Sequence, residues 1–244
     1  MQMIVHAVLS LMLAASGAAD YPGRDGEGST IINHSRNDDG ISVRHNNEPI
    51  VEGSGNIVRQ ARSAAAFSSV HVQGPFDLEI LVGPRHSVEV EIDGNLSDRI
   101  GTRVEGGELR IETTGSFRTR SVPKVRLTVP TLDRVLVQGS GDARIRGVKG
   151  GRLELVGQGS GDFVVDGRAD SLVASLFGSG NADLTRIEAP DLTVSVYGSG
   201  DARVRATRAL SASVFGSGRI DYSGDPTEVS RSVHGSGRIG RISN

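Results

Sequence analysis

The chain has 244 residues, 33 of them Gly, with no Cys or Trp, six Phe, three Tyr and a formal net charge of -2. The lack of Cys excludes disulfide frameworks, thiolate metal sites and cysteine nucleophiles, and 27 Lys+Arg against 29 Asp+Glu give no electrostatic case for nucleic acid or an anionic membrane. Gly at nearly twice its usual share of roughly 7%, with so few aromatics, argues against a thick globular core and for a thin, strand-rich architecture.

Residues 1–19 read as a signal peptide. MQMIVHAVLSLMLAASGAAD has an apolar run from Ile4 to Ala15, then small residues that fit a cleavage site ending at Ala18 or Ala19. The run is short of the ~20 residues of a membrane span, although no Lys or Arg precedes it, so an uncleaved anchor is the competing reading. The mature chain is expected to have no membrane span and to be periplasmic, extracellular or at the cell surface. Residues 20–57 turn to Gly, Asn, Asp, Ser and His and read as a weakly ordered linker. His34 and His45 lie there without ligand spacing, so neither a metal site nor a cofactor is expected.

From Phe67 to Pro130 the segments FSSVHVQGPFDLEILVG, HSVEVEID, GELRIET and KVRLTVP alternate apolar and polar residues between Gly-Pro, Asp-Gly-Asn and Gly-Gly turns. These read as strands, with one helical turn at 95–100. They are expected to be early, less regular coils of the body that follows.

That body is declared by repetition. Gly-Ser-Gly occurs six times between residues 139 and 237, at Gly139 and Gly141, Gly159 and Gly161, Gly178 and Gly180, Gly198 and Gly200, Gly216 and Gly218, and Gly235 and Gly237. Successive spacings are 20, 19, 20, 18 and 19 residues, and the flanks align too. Val137, Gly157, Leu176, Val196, Val214 and Val233 stand two before the triplets, while Ala143, Phe163, Ala182, Ala202, Ile220 and Ile239 stand four after their first Gly. Period-2 apolar columns at this spacing predict an all-β solenoid, a single-stranded parallel β-helix whose coils stack ~4.8 Å apart. Counting the earlier segments gives roughly nine coils. The glycines are structural, either on the inward parity of a straight strand or at a corner.

The blocks RSAAAFSSVHVQGPFDLEILVG, SVEVEIDGNLSDRIGTRVEGGELRIET and VRLTVPTLDRVLVQGSGD, followed by the Gly-Ser-Gly coils, resemble the bacterial auto-transporter adhesins of the head-GIN domain type, a domain of unknown function. The resemblance spans residues 58–242. It implies a right-handed β-helix, pectate-lyase-like in shape, in exported or surface proteins for which adhesion is proposed and no catalytic residues are established.

Two columns are candidates for function. Phe177, Tyr197, Phe215 and His234 stand immediately before successive triplets, and outward they form an exposed stripe for a cell-surface glycan, a protein partner or a second copy of the chain. Turned inward, they are ordinary core. Asp142, Asp162, Asn181 and Asp201 follow the triplets and could act as acid and base, or hold calcium, in a polysaccharide lyase or hydrolase. Asp after Gly also serves local backbone hydrogen bonds. The favoured expectation is an exported, non-enzymatic binding protein, with a carbohydrate-active enzyme or a self-associating envelope component as alternatives. Arg203, Arg205, Arg208, Arg219, Arg231, Arg238 and Arg241 make the C-terminal coils basic and read as a solvated end cap or a dock for acidic polysaccharide.

Overall fold

A computed structural model describes residues 32–37, 40–45 and 48–242. The proposed signal peptide lies outside them. In chain order the strands are β1 (Ile32–Asn37), β2 (Gly40–His45), β3 (Val51–Glu52), β4 (Ile57–Arg62), β5 (Ser69–Gln73), β6 (Asp77–Val82), β7 (Ser87–Asp93), β8 (Ile100–Glu105), β9 (Glu108–Thr113), β10 (Phe117–Thr119) and β11 (Lys124–Val129). Six pairs follow: β12 (Arg134–Gly139) with β13 (Ala143–Lys149), β14 (Arg152–Gly159) with β15 (Phe163–Arg168), and β16 (Ser171–Gly178) with β17 (Ala182–Glu188). The last three are β18 (Asp191–Gly198) with β19 (Asp201–Arg205), β20 (Ala209–Gly216) with β21 (Arg219–Ser223), and β22 (Glu228–Gly235) with β23 (Arg238–Arg241). The only helical element among the described residues is a 3-10 segment at Gly94–Arg99, where the sequence suggested a turn.

Each pair contributes one strand to each of two facing sheets. The nine-stranded sheet runs β22-β20-β18-β16-β14-β12-β5-β9-β8, and the ten-stranded sheet runs β23-β21-β19-β17-β15-β13-β6-β11-β7-β4. From β12 onward every pairing is parallel, and in the nine-stranded sheet it is in register residue for residue. Alternation therefore turns one residue set of every strand into the gap between the sheets. Val135, Val137, Ile145, Leu155, Val165, Leu184, Val194 and Val204 are all buried there, each contributing about 1.5–3 kcal/mol by leaving water. No single coil has enough apolar surface to do this alone, so stacking is the fold.

The triplets are the corners that pass the chain from one sheet to the other. The first Gly of each has φ between 122° and 147°, a region L residues with a Cβ avoid. A Cβ on the second Gly would lie 1.8–2.4 Å from a carbonyl oxygen of the preceding coil. The corner is thus closed to any side chain at both positions, and the Ser between them is exposed in every triplet but the first, where the Ser140 hydroxyl is buried.

The expectation of roughly nine coils is corrected to a solenoid of about five turns, the number of steps separating the six triplets. The segment before residue 130 is made of strands, but its sequence order is not its stacking order. β5 and β6 lie directly against β12 and β13, whereas β9 and β11, later in the chain, lie on their far side. β4, β7 and β8 run antiparallel and close that end. With two strands and two corners per coil, the cross-section is a two-sheet sandwich and not the pectate-lyase shape. Arg126 on β11 staples the antiparallel cap to the stack, donating to Glu91 at 2.8 Å and Glu89 at 3.3 Å on β7. Its hydrogen bond, with a further one from Arg59, holds the Glu91 carboxyl below its ordinary value against the opposing effect of partial burial.

Within the segment read as a linker, β1, β2 and β3 join β10 in a four-stranded sheet of order β1-β2-β10-β3. The reason is local alternation: Ile41, Val43 and His45 turn inward, where His45 meets Thr113 Oγ1 at 3.0 Å. The histidine is a core residue, and the described residues contain no cluster of His, Asp and Glu able to hold a metal ion.

At the other end no strand among the described residues pairs beyond β22 and β23. Val229 and Val233 are 42% and 43% exposed although they continue buried columns, and Arg231 and Arg241 occupy the inward positions held by Ala212 and Tyr222 one coil earlier. Inward-pointing charge at an open sheet edge discourages another strand from pairing there. The basic end is also partly neutralised, with Arg219 bound to Asp201 at 2.9 Å, Arg208 to Asp191 and Arg241 to Asp225.

Candidate functional site

On the outer face of the nine-stranded sheet, in-register pairing sets Phe177 beside Tyr197, Tyr197 beside Phe215 and Phe215 beside His234. Strand spacing then brings the rings into contact. Their centroids are 4.7, 4.8 and 4.8 Å apart in that order, and their planes differ by 6°, 4° and 4°. The side chains point away from the core, so the reading of this column as core is corrected by the structure. Phe215 is 38% exposed. Every other described Phe or Tyr, namely Phe67, Phe76, Phe117, Phe163 and Tyr222, is buried.

The column continues toward the N-terminal coils as amides. Gln138 Nε2 donates to Gln158 Oε1 at 2.6 Å, and His71 Nε2 lies 2.6 Å from Gln138 Oε1. Gln158 is the register neighbour of Phe177, so polar and aromatic rungs form one uninterrupted ladder. Two residues upstream on the same face stand Ser175, Ser195, Ser213 and Ser232, and beyond them Thr193, Ser211 and Ser230. The surface is a row of ring edges beside a lawn of hydroxyls.

Stacking has a chemical consequence. In a ladder with near-parallel planes each interior ring covers the faces of its neighbours, so Tyr197 and Phe215 present edges outward. Sugars dock on aromatic faces, whereas ring edges and rims suit the apolar and polar side chains of a protein.

The second candidate column sits at the corner, and one oxygen of each side chain is engaged. Asp162 N–H donates to Asp142 Oδ1 at 3.0 Å, Asn181 N–H and Nδ2 donate to Asp162 Oδ1 at 2.8 and 2.9 Å, and Asp201 N–H donates to Asn181 Oδ1 at 2.9 Å. Asp201 then receives Arg219 at 2.9 Å. Asp142, Asp162 and Asn181 thus each satisfy a corner N–H that the sheets leave unpaired. An amide oxygen serves as well as a carboxylate, as Asn181 demonstrates in place. Asp162→Asn is therefore expected to leave stability within about 0.5 kcal/mol, and Asp162→Ala to cost about 1 kcal/mol by orphaning the Asn181 N–H. Urea titration of the two variants checks this.

Sequence reading missed one rung. Asp142 N–H reaches Asp77 Oδ1 at 3.3 Å, so the ladder starts on β6. The signal was present: Gln73-Gly74-Pro75-Phe76-Asp77 is a degenerate form of Gln138-Gly139-Ser140-Gly141-Asp142, with Gly74 at φ 141° and Gly139 at φ 147°. The Gly-x-Gly-x-x-Gly match at 235–240 leads into β23 and not into a helix, so it makes no dinucleotide site.

No helix among the described residues is long and apolar enough to cross a membrane. No curated protein matches this chain. Among solved structures, one described as a "putative adhesin" from Bacteroides fragilis is 22% identical, with a TM-score of 0.67 over 79% of this chain and 100% of its own. One so described from Parabacteroides distasonis is 21% identical, with a TM-score of 0.54 over 80% and 100%. Another from that organism, described as a "putative lipid binding protein", is 24% identical with a TM-score of 0.50 over the same shares. At these identities the likeness concerns the fold. The family model described as "Putative auto-transporter adhesin, head GIN domain" matches residues 66–226, which hold β5 to β21 and so most of the Gly-Ser-Gly solenoid, and the chain belongs to that family.

Proposed function

We propose that this chain is an exported, non-enzymatic binding protein that attaches to a protein on a cell surface through the outer face of its nine-stranded sheet. One observation carries the reading: the only described Phe and Tyr left outside the core stand together in one outward column. Aromatic groups kept at the surface in a contiguous row are what interaction sites use. Edge-out presentation favours a protein over a glycan. Engagement of the acidic column with corner N–H groups supports binding over hydrolysis, and membership of an adhesin-named family agrees with export and attachment. The Arg231 and Arg241 edge supports attachment by a sheet face in preference to self-association end to end.

The test is binding of the purified protein to a panel of intact bacterial and epithelial cells. Protease treatment of the cells is expected to abolish binding and glycosidase treatment to spare it. Binding that survives protease and disappears with glycosidase would move the partner to a glycan. Turnover of a polysaccharide that is lost in Asp162→Asn would replace binding by catalysis.

A further inference from the structure

Away from the ladder, a cleft of about 1180 Å³ opens on the outer face of the four-stranded sheet and against residues 53–55. Alternation decides what lines it. Ile41 and Val43 of β2, and Phe117 and Thr119 of β10, turn inward, so Ser42 and Arg44 share the opposite face with Arg118, which register sets across from Ser42. Arg120 continues that face beyond Thr119. Three guanidinium groups thus gather on one small sheet from two segments about 75 residues apart in sequence.

The anions nearby do not neutralise them all. Glu52 is taken by Arg118 at 2.9 Å. Asp93, only 2% exposed, accepts the Gly55 N–H at 2.5 Å and the Thr119 hydroxyl, and so ties residues 53–55 to β10 instead of facing an arginine. Arg44 and Arg120 are exposed, and among the described residues neither has a carboxylate partner. Around them stand the hydroxyls of Ser35, Ser42, Ser54 and Ser121. The lining contains no aromatic ring for a nucleobase, and its one large apolar side chain, Ile41, is turned into the core and offers no bed for an acyl chain.

We propose that this cleft binds an acidic oligosaccharide, with Arg44 and Arg120 taking carboxylate substituents in charge-assisted hydrogen bonds and the serines exchanging hydrogen bonds with sugar hydroxyls. Guanidinium suits a carboxylate because its fork matches both oxygens, and hydroxyls without aromatics suit a ligand that is polar on all sides. The site is separate from the aromatic ladder and stands or falls independently of it.

The experiment is titration calorimetry of the full chain with tetragalacturonate and with maltotetraose, at low and at physiological salt. Tetragalacturonate is expected to bind, more weakly as salt rises, with maltotetraose at least about tenfold weaker. Arg44→Gln combined with Arg120→Gln is expected to weaken tetragalacturonate by at least about tenfold, about 1.4 kcal/mol, while Phe215→Ser leaves it unchanged. Both arginines are exposed, and an unaltered melting temperature confirms that the fold is kept. Absence of tetragalacturonate binding, equal binding of the two sugars, or wild-type affinity in the folded double variant would each overturn the proposal.

Discussion

Gly178→Ala is expected to destabilise the chain by more than about 3 kcal/mol, read as a shift in the urea midpoint, because two separate penalties meet at that residue. Its φ is +122°, and an added Cβ would lie 2.3 Å from the Gly159 carbonyl oxygen. That oxygen cannot retreat, since it accepts the N–H groups of Ser179 at 3.0 Å and Gly180 at 3.2 Å. The same corner is repeated above and below, so relief in one coil would strain the next. Gly55 is the internal comparison. Its φ is +78° but nothing lies within 4 Å of the Cβ position, so Gly55→Ala is expected to cost only about 1 kcal/mol. Equal costs at the two sites would mean that close stacking of the corners is not what demands glycine.

The second large effect concerns how one coil departs from its neighbours. Three of the six coils place Val or Leu two residues before the triplet and Ala four after its first Gly: Val137 with Ala143, Leu176 with Ala182 and Val196 with Ala202. The coil of β14 and β15 exchanges the volumes, with Gly157 and Phe163 at those places. A Cβ on Gly157 would come 2.7 Å from Phe163 Cε2 and 3.4 Å from Leu176 Cδ2. The phenyl ring fills the space that the missing side chain leaves. Gly157→Val alone is expected to cost about 3 kcal/mol by overpacking, and Phe163→Ala alone about 3–5 kcal/mol by leaving a cavity. The pair Gly157→Val with Phe163→Ala reproduces the combination of Val137 with Ala143 and Val196 with Ala202 and is expected to cost under about 1.5 kcal/mol. Calorimetric melting of all three variants measures that coupling. Additive losses would show that the two positions do not share one space.

These cases mark what the sequence could disclose. The repeat was legible because in-register parallel pairing places equivalent residues in direct contact, so the chain conserves their character coil by coil within itself. Val137 to Val214 and Ala143 to Ile220 are buried as period and spacing require, and the columns fade at Val233 and Arg241 in the last described coil. The direction of the aromatic column was not legible. Parity is carried by a continuous strand, and a Gly at φ near +130° breaks that continuity, so counting residues through the triplet cannot say which way either side points.

Stacking order was hidden for a different reason. Alternation identifies β7, β9 and β11 as strands but is the same for parallel and antiparallel neighbours. Nothing in the local pattern says that β9 and β11 pass to the far side of β5 and β6. The cleft was hidden in the same way: Arg44 and Arg118 share one face only because β10 pairs with β2. The acidic column, by contrast, was legible as a column while its chemistry was not. Spacing placed Asp142, Asp162, Asn181 and Asp201 one above another, but only geometry gives an oxygen of each of the first three to the N–H of the next coil and Asp201 to the Arg219 side chain.

The claim that attachment runs through the aromatic ladder is tested most directly by the affinity of the Tyr197→Ser, Phe215→Ser double variant for intact cells, compared with the wild-type chain by quantitative surface-binding titration. Both side chains lie outside the core, so the variant is expected to keep the wild-type melting temperature within a few degrees while binding at least about thirtyfold more weakly, the loss of about 2 kcal/mol that truncating aromatic anchors brings. Wild-type affinity in the folded variant would contradict the account.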